Sequence, residues 1–342
     1  MSEESPREAM LYERLEDQKV KCGLCGHECV IAPEKTGICR VRQNVNGRLV
    51  SLSYDALVAV HVDPIEKKPL FHFLPGTRSL SIAAAGCNFQ CAFCQNWQIS
   101  QAPRQGRRIQ GERASPEQLV QAARNNRCAS ISYTYTEPTV FYELAYDTAM
   151  LASGQGIRNC FVSNGYMTPQ AVQEISRYLD AINVDLKAFR DETYRRVMKA
   201  RLAPVLRCLK ELAKCKVWLE ITTLIVPGMN DSDAELKELA GFIANELSSD
   251  VPWHVSRFHG DYQMGDAPAT PVETLHRAVQ IGKEAGLRYV YSGNIPGDDN
   301  ESTRCPQCGD LLIQRVGFSV RADKLQDGAC PKCRTAIAGV WK

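Results

Sequence analysis

The 342-residue sequence lacks any charge imbalance of consequence: 41 Lys and Arg stand against 39 Asp and Glu, a formal net charge of +2. So near a balance, no global field draws in nucleic acid or an anionic membrane, and partners must be argued from local residues. Long apolar runs are missing too. None approaches the roughly 20 residues needed to cross a bilayer. The start, Met1-Ser2-Glu3-Glu4-Ser5-Pro6, lacks the charged-then-apolar pattern of a secretion signal. The expectation is a cytoplasmic protein with no membrane partner. With 44% hydrophobic and 23% charged residues, the chain is long enough for one large domain and one or two small ones.

Cysteine is abundant, with 15 residues. In a long chain without a signal, cysteines in C-x-x-C pairs read as metal ligands rather than as disulfides. They form three groups: Cys22, Cys25, Cys29 and Cys39; Cys87, Cys91 and Cys94; and Cys305, Cys308, Cys330 and Cys333. Cys128, Cys160, Cys208 and Cys215 are left over and read as small buried hydrophobes.

The middle group, Cys87-Asn88-Phe89-Gln90-Cys91-Ala92-Phe93-Cys94, follows an apolar run, Leu80 to Ala85. Three thiolates can hold three corners of a 4Fe–4S cubane and leave the fourth iron open, and an open position separates a catalytic metal site from a structural one. Phe93 would shield such a cluster from water. A zinc knuckle with a distant fourth ligand is the structural alternative.

In the N-terminal group, four cysteines suit either zinc or a second iron–sulfur cluster, and the sequence does not choose between them. Gly23, Gly26 and Gly37 suit tight turns around a metal, and His27 could replace one thiolate. A short helix is expected around Glu8 to Leu15, a hairpin at Asn46-Gly47, and a connecting loop from Asp63 to Pro69.

From about residue 78 to 293, β-branched runs alternate with helical segments, which predicts βα units and an α/β fold with a parallel sheet or barrel. The candidate strands are Leu80–Ala85, Ala129–Tyr135, Arg158–Ser163, Ala181–Leu186, Val217–Val226 and His254–Phe258, with a further run Arg288–Tyr291. Ser115, Ser232 and Thr270 each begin a capping-box pattern. In barrels the working residues lie at the C-terminal ends of strands. That rule selects Thr136-Glu137-Pro138, Ser163-Asn164-Gly165, Asp185-Leu186-Lys187, Pro227 to Asp231 and Pro252-Trp253-His254.

A polar stretch after Gly293, running through Pro296 to Asn300, reads as a linker. Beyond it, Cys305-Pro306-Gln307-Cys308 and Cys330-Pro331-Lys332-Cys333 flank a short apolar insert, the pattern of a zinc ribbon, and a rubredoxin-type iron centre uses the same four thiolates. Two basic stretches, Arg104, Arg107, Arg108 and Arg113, then Arg195, Arg196, Lys199, Arg201 and Arg207, could meet phosphate or a carboxylate. They lack interleaved aromatics, and nucleic acid is not expected as a partner.

The Cys-x3-Cys-x2-Cys spacing after a first strand is similar to the signature of radical S-adenosylmethionine enzymes, and Phe93 matches the aromatic before their third cysteine. Thr136-Glu137-Pro138, Asp185-Leu186-Lys187 and Val226-Pro227-Gly228 resemble the pyruvate formate-lyase activating branch. With both outer cysteine groups, the whole chain resembles the AmmeMemoRadiSam system radical SAM enzymes, a family named for gene neighbours.

The resemblance implies a partial TIM-like (β/α)6 barrel over 76–297, a Cys-rich segment over 1–75 and a zinc-ribbon or rubredoxin-like domain over 298–342. It implies reductive cleavage of S-adenosylmethionine at a 4Fe–4S cluster, giving a 5'-deoxyadenosyl radical that abstracts hydrogen from an unidentified substrate. It also implies an electron donor such as flavodoxin or ferredoxin, and products of neighbouring genes as partners. Glu137 would meet the cofactor's amino group; Ser163, Asn164 and Lys187 its carboxylate and ribose; Val226 its adenine. His254 resembles a histidine that approaches the cofactor. Asp185 matches a cation ligand of the activating branch, but Val162 stands where that branch has a second Asp. The alternatives are a glycyl-radical-enzyme activating enzyme and, in another class, a non-catalytic zinc scaffold that binds RNA or protein.

Overall fold

The computed structural model describes residues 6–107, 109, 111–295 and 297–342. The polar start 1–5, Arg108 of the basic loop and Pro296 of the expected linker lie outside the described residues.

The N-terminal segment forms a small antiparallel sheet from β1 (Tyr12–Arg14), β2 (Val20–Cys22) and β3 (Val30–Ile31), then a hairpin, β4 (Arg42–Val45) and β5 (Arg48–Ser51). Asn46 and Gly47, at φ +50° and +81°, make the left-handed turn that joins β4 to β5. The helix expected around Glu8 to Leu15 is not formed. Tyr12 pairs with Cys22 and Glu8 bridges to Val50, so strand partners from the cysteine segment override a weak local helix preference.

The main sheet has nine strands. β6 (Ala56–Pro64) runs antiparallel to β7 (Arg78–Ala84), and the short β8 (Glu112–Arg113) pairs with β6 at the edge. From β7 the sheet continues in parallel through β9 (Ser130–Tyr133), β10 (Arg158–Ser163), β11 (Ala181–Asp185), β12 (Trp218–Ile225), β13 (Trp253–Arg257) and β14 (Val290–Gly293). The expected parallel α/β architecture is present, with a seventh parallel strand closing the series. The main helices between strands are α1 (Pro116–Asn125), α2 (Tyr142–Ser153), α3 (Pro169–Ile175), α4 (Leu202–Leu212), α5 (Asp233–Phe242) and α6 (Val272–Glu284).

Caps explain where some of these helices begin. Ser115 and Gln118 form a reciprocal capping box on α1, with Pro116 in its first turn. Ser232 caps α5, but the Glu235 carboxylate reaches the Phe189 N–H at 2.6 Å instead of closing a box. Thr270 does not cap α6. Its hydroxyl accepts the Phe258 N–H at 2.9 Å and donates to the Ile225 carbonyl at 2.6 Å, tying two strand ends together.

Side-chain alternation divides the sheet into two faces. Ile82, Ile131, Phe161, Ile182, Ile221 and Val255 join the large apolar core with the helices. On the other face Ser79, Ser132, Asn183, Glu220 and His254 hydrogen-bond to one another or to residues 69–72. The stretch from Asp63 to Pro69 is not a simple connecting loop. It ends β6, turns through a 3-10 segment, Ile65–Lys67, and delivers Leu70, Phe73 and Leu74 into a buried cluster with Cys160 and Ala181.

The C-terminal module carries a three-stranded sheet, β15 (Thr303–Arg304), β16 (Leu311–Val316) and β17 (Ser319–Asp323). Cys305, Leu312, Ile313 and Cys330 pack on Phe71, Tyr289 and Tyr291 of the larger body. The polar run before the module is packed rather than a free linker: Asp298 pairs with His276, and the buried Glu301 accepts the Gly317 N–H at 2.9 Å. No helix among the described residues is long and apolar enough to cross a membrane.

Candidate functional site

Directly after β7, Gly86 adopts φ +106°, and a Cβ there would stand 2.8 Å from Val41 Cγ1. Only glycine fits both demands. The chain then enters the loop Cys87 to Cys94, whose backbone is strapped on several sides. The Gln90 and Ala92 N–H groups donate to the carbonyls of Met198 and Val197 at 2.9 and 3.1 Å, and Gln263 N–H donates to the Ala92 carbonyl at 3.0 Å. Gln101 Nε2 and Arg104 Nη1 both donate to the Phe89 carbonyl, at 3.2 and 3.3 Å. Phe89 and Phe93 are buried in the core.

The three thiols are buried or half-buried, yet they do not crowd within 4.8 Å of one another. Burial drives the Cys87 thiol well up, helped by the Glu137 carboxylate; burial pushes Cys91 up to about 12, partly offset by the Lys187 ammonium. Thiolates at such a site need a cation to hold them. Asn88 Nδ2, next to Cys87, is buried without an acceptor. Open spacing, strongly raised thiols and an orphaned donor fit an anionic iron–sulfur cluster with cofactor beside it.

Glu137 faces this loop and is 2% exposed. Its Oε1 accepts from Thr139 N at 3.1 Å, Thr139 Oγ1 at 2.5 Å and Ser163 Oγ at 2.8 Å, while Oε2 accepts from Asn164 N at 2.8 Å. Burial raises its pKa; these donors oppose the rise. Asn164 Nδ2 then donates to Asn88 Oδ1 at 2.7 Å and lies 3.8 Å from Cys87 Sγ. Thus the loops after β7, β9 and β10 meet. Tyr135 takes the left-handed φ of +61°, and its carbonyl accepts from Asn96 Nδ2 at 2.8 Å.

Lys187 Nζ donates to Asp185 Oδ2 at 2.8 Å. Burial works against its charge, but Asp185 and the neighbouring Cys91 outweigh burial and raise its pKa. Val226 is buried just beyond β12, its N–H donating to Asn230 Oδ1 at 2.7 Å. Val162, on β10, offers no ligand for a cation.

His254 departs from expectation. It is the second residue of β13, not the end of that strand, and its Nε2 meets Glu220 Oε2 at 2.6 Å between the rings of Phe71 and Tyr291. The reason is register: the strand opens at Trp253, so that His254 is its second residue, and runs on to Arg257. His254 and Ser256 line a cavity of about 370 Å³ that also touches Phe71, Asn294 and the hairpin tip Val316 to Phe318.

Several residues at the site carried no signal in the sequence. Asn88 sits inside the motif but looks like a spacer; Asn96 and Tyr194, whose hydroxyl accepts the Lys187 N–H at 3.1 Å, look like ordinary helix and loop residues. Buried Asp63 and Lys68 group with the half-buried Tyr135, Lys68 Nζ bonding Asp63 at 2.7 Å and lying 4.6 Å from the Tyr135 ring centre. Of the basic residues, Arg104 is built into the cysteine loop, whereas Arg113 and Arg195 pair with Asp55 and Asp191.

At the C-terminus Cys305 and Cys333 Sγ lie 3.5 Å apart, Cys308 and Cys330 3.7 Å, and all four fall within 4.8 Å. A tetrahedral ion with metal–sulfur bonds of about 2.3 Å requires sulfurs about 3.8 Å apart. This group could hold a metal.

Residues 81–240, from β7 into α5, match the model of the radical SAM superfamily. An uncharacterized Methanocaldococcus jannaschii protein, MJ0808, is 44% identical over 328 residues, spanning 96% of this chain and 97% of that one. The chain belongs to the radical SAM superfamily. It is therefore an enzyme of the radical SAM type, and the expectation of a non-catalytic scaffold falls away. The pyruvate formate-lyase-activating enzyme of Clostridium pasteurianum is 24% identical over 227 residues, 61% of this chain and 92% of that one. Relatives named as activating enzymes tie this radical SAM enzyme to their branch. Its fold is similar to a radical SAM methyltransferase from Sphaerobacter thermophilus, with 18% identity, TM-score 0.50, and coverage of 70% of this chain and 71% of that chain.

Proposed function

We propose that this radical SAM enzyme binds a 4Fe–4S cluster at Cys87, Cys91 and Cys94 and S-adenosylmethionine beside it. Bound together, they supply one-electron cleavage of the sulfonium and the carbon radical that takes hydrogen from a substrate. The observation that carries the reading is the convergence on Cys87 of Asn88, Asn164 and, through Asn164, Glu137.

In this reading each residue has a bounded task. Glu137 holds the loops after β9 and β10 in one arrangement and keeps one side of Oε2 for an ammonium. Asn88 Nδ2 and Lys187 supply donors for a carboxylate, and Asp185 keeps Lys187 charged. Val226 covers an apolar base. Phe93 and Phe89 exclude water from the thiolates. His254 belongs to the adjoining cavity and meets substrate rather than S-adenosylmethionine. The ribbon cysteines hold zinc or a single iron.

The finer assignments are also part of the proposal: a cytoplasmic member of the AmmeMemoRadiSam group, divided at 1–75, 76–297 and 298–342, and served by a flavodoxin- or ferredoxin-type donor. A glycyl-radical activating role is the second reading, supported by relatives such as the benzylsuccinate synthase activating enzyme of Thauera aromatica, 22% identical over 236 residues. Anaerobic reconstitution with iron and sulfide, followed by dithionite and S-adenosylmethionine, should yield 5'-deoxyadenosine. Cys94→Ala should abolish it while the ribbon keeps its metal. A fully loaded wild type that yields none overturns the proposal.

A further inference from the structure

The N-terminal cysteines come together around one cavity. Cys22, Cys25, Cys29 and Cys39 line one narrow space with Arg42 and Thr139. β2 supplies Cys22, the turns after it Cys25 and Cys29, and the approach to β4 supplies Cys39. Gly26 permits the packing by close approach, not by an unusual φ: a Cβ there would stand 2.6 Å from Pro204 Cβ.

Two observations choose the occupant. The first is spacing. The ribbon thiols are drawn within 4.8 Å, as one ion requires, but no three of the N-terminal thiols meet that limit. The Cys87 to Cys94 thiols do not meet it either. Cysteines that bind separate corners of a cube stand wider apart than cysteines that share one tetrahedral ion. The second is Arg42. Its guanidinium is 2% exposed; Nη2 donates to the Met10 carbonyl at 2.7 Å and to Glu143 Oε1 at 2.9 Å, but Nε and Nη1 are buried without acceptors. A zinc ion with four thiolates offers those N–H groups less than a cluster does, since a cluster adds bridging sulfides that accept hydrogen bonds.

The cavity also abuts the first cysteine loop. His27 Nε2 donates to the Asn88 carbonyl at 2.9 Å, so it is not free to replace a thiolate through that atom. Arg104 donates through Nη2 to the Ile38 carbonyl at 2.7 Å and through Nη1 to the Phe89 carbonyl at 3.3 Å. The Cys39 carbonyl lies 3.4 Å from where a Cβ on Gly86 would be. Each of these contacts falls on a cysteine or within two positions of one: His27 near Cys25, Ile38 and Cys39 itself on one side, Gly86, Asn88 and Phe89 around Cys87 on the other.

We infer that Cys22, Cys25, Cys29 and Cys39 hold a second 4Fe–4S cluster that relays electrons to the cluster at Cys87, Cys91 and Cys94. A one-electron donor of the flavodoxin or ferredoxin type reduces the second cluster. The second cluster passes that electron to the first and returns to its oxidised form. Only the relay rests on the proposed function; the cluster itself does not.

The test uses the full chain, reconstituted anaerobically with iron and sulfide, and counts acid-labile sulfide because neither zinc nor a rubredoxin-type iron carries any. The Cys87→Ala/Cys91→Ala/Cys94→Ala variant should retain about four sulfides per chain and give a cluster EPR signal after dithionite. Zinc without sulfide in that variant overturns the inference. Should that variant not fold, wild type is expected to hold about eight sulfides and Cys25→Ser/Cys29→Ser about four; a wild type with about four that Cys25→Ser/Cys29→Ser leaves unchanged overturns it. A chain with sulfide only at the N-terminal group instead defeats the proposed function. For the relay, the EPR spectrum of fully reduced wild type should be broadened or split relative to the sum of the two single-cluster variants. Agreement with that sum excludes it.

Discussion

The Glu137 carboxylate accepts the Asn164 backbone N–H at 2.8 Å, and by that bond the loop after β9 is clamped to the loop after β10. Asn164 carries the constraint onward to Asn88 beside Cys87. A buried carboxylate with four donors around it is costly to alter, because each donor loses its acceptor. Glu137→Gln turns an accepting oxygen into a donor facing other donors. S-adenosylmethionine binding, measured by equilibrium dialysis on the reconstituted enzyme, should weaken by about 100-fold, in line with charge-assisted bonds of about 1.5–3 kcal/mol.

Lys187 calls for a milder outcome. Asp185 keeps 34% of its side-chain surface, so Lys187→Met leaves a carboxylate that water can reach. The melting temperature should move little, as expected for a partly exposed pair. Cofactor affinity should fall about tenfold, the loss of one charge-assisted contact. Unchanged affinity would assign Lys187 to the rim alone.

Acid should act through His72. The ring is fully buried; Nδ1–H donates to the Ala338 carbonyl at 2.6 Å and Nε2 accepts the Tyr291 hydroxyl at 2.5 Å, which fixes the neutral tautomer. Burial lowers its pKa from 6.5 to about 4, against the pull of Glu220. A depressed folded value means that the neutral form's stabilisation is complete above pH 6.5 and is lost as pH falls through about 4. The difference corresponds to about 3 kcal/mol. Thermal melts between pH 7 and pH 4 should show this loss, and His72→Gln should flatten the slope over that window.

The ribbon metal should be separable from the rest. Cys308→Ser removes one of four thiols that crowd together, and metal analysis should show one fewer zinc or iron per chain. Because Cys305 and Cys330 share a core with Phe71, Tyr289 and Tyr291, the loss should also lower the melting temperature of the main body.

Much of the fold was legible because βα alternation is local information. Each parallel strand overlaps a run visible as β-branched residues between turn signals, and Ser115 announced its helix through a reciprocal side-chain bond spanning only three residues. Where sequence reading failed, the missing information was non-local. Glu8 to Leu15 has helical composition but finds strand partners at Cys22 and Val50. Thr270 has a capping pattern but ties Phe258 to Ile225. Asp63 to Pro69 looks like punctuation, yet it leads into the segment that fills the inner face of the sheet.

By itself the sequence pointed to the superfamily, since the Cys87, Cys91 and Cys94 spacing is short-range and is legible without any tertiary context. Tertiary structure decided which other residues reach that turn. His254 resembles a cofactor-approaching histidine by motif, and the fold sets it second in β13, paired with Glu220 and lining a cavity with Phe71, because one residue's position along a strand sets the layer it occupies. Likewise the choice between one ion and a cluster at Cys22 to Cys39 depends on distances between thiols brought together by β2, β3 and β4. Spacing along a chain sets which ligands are at hand, but only folding sets how far apart they stand.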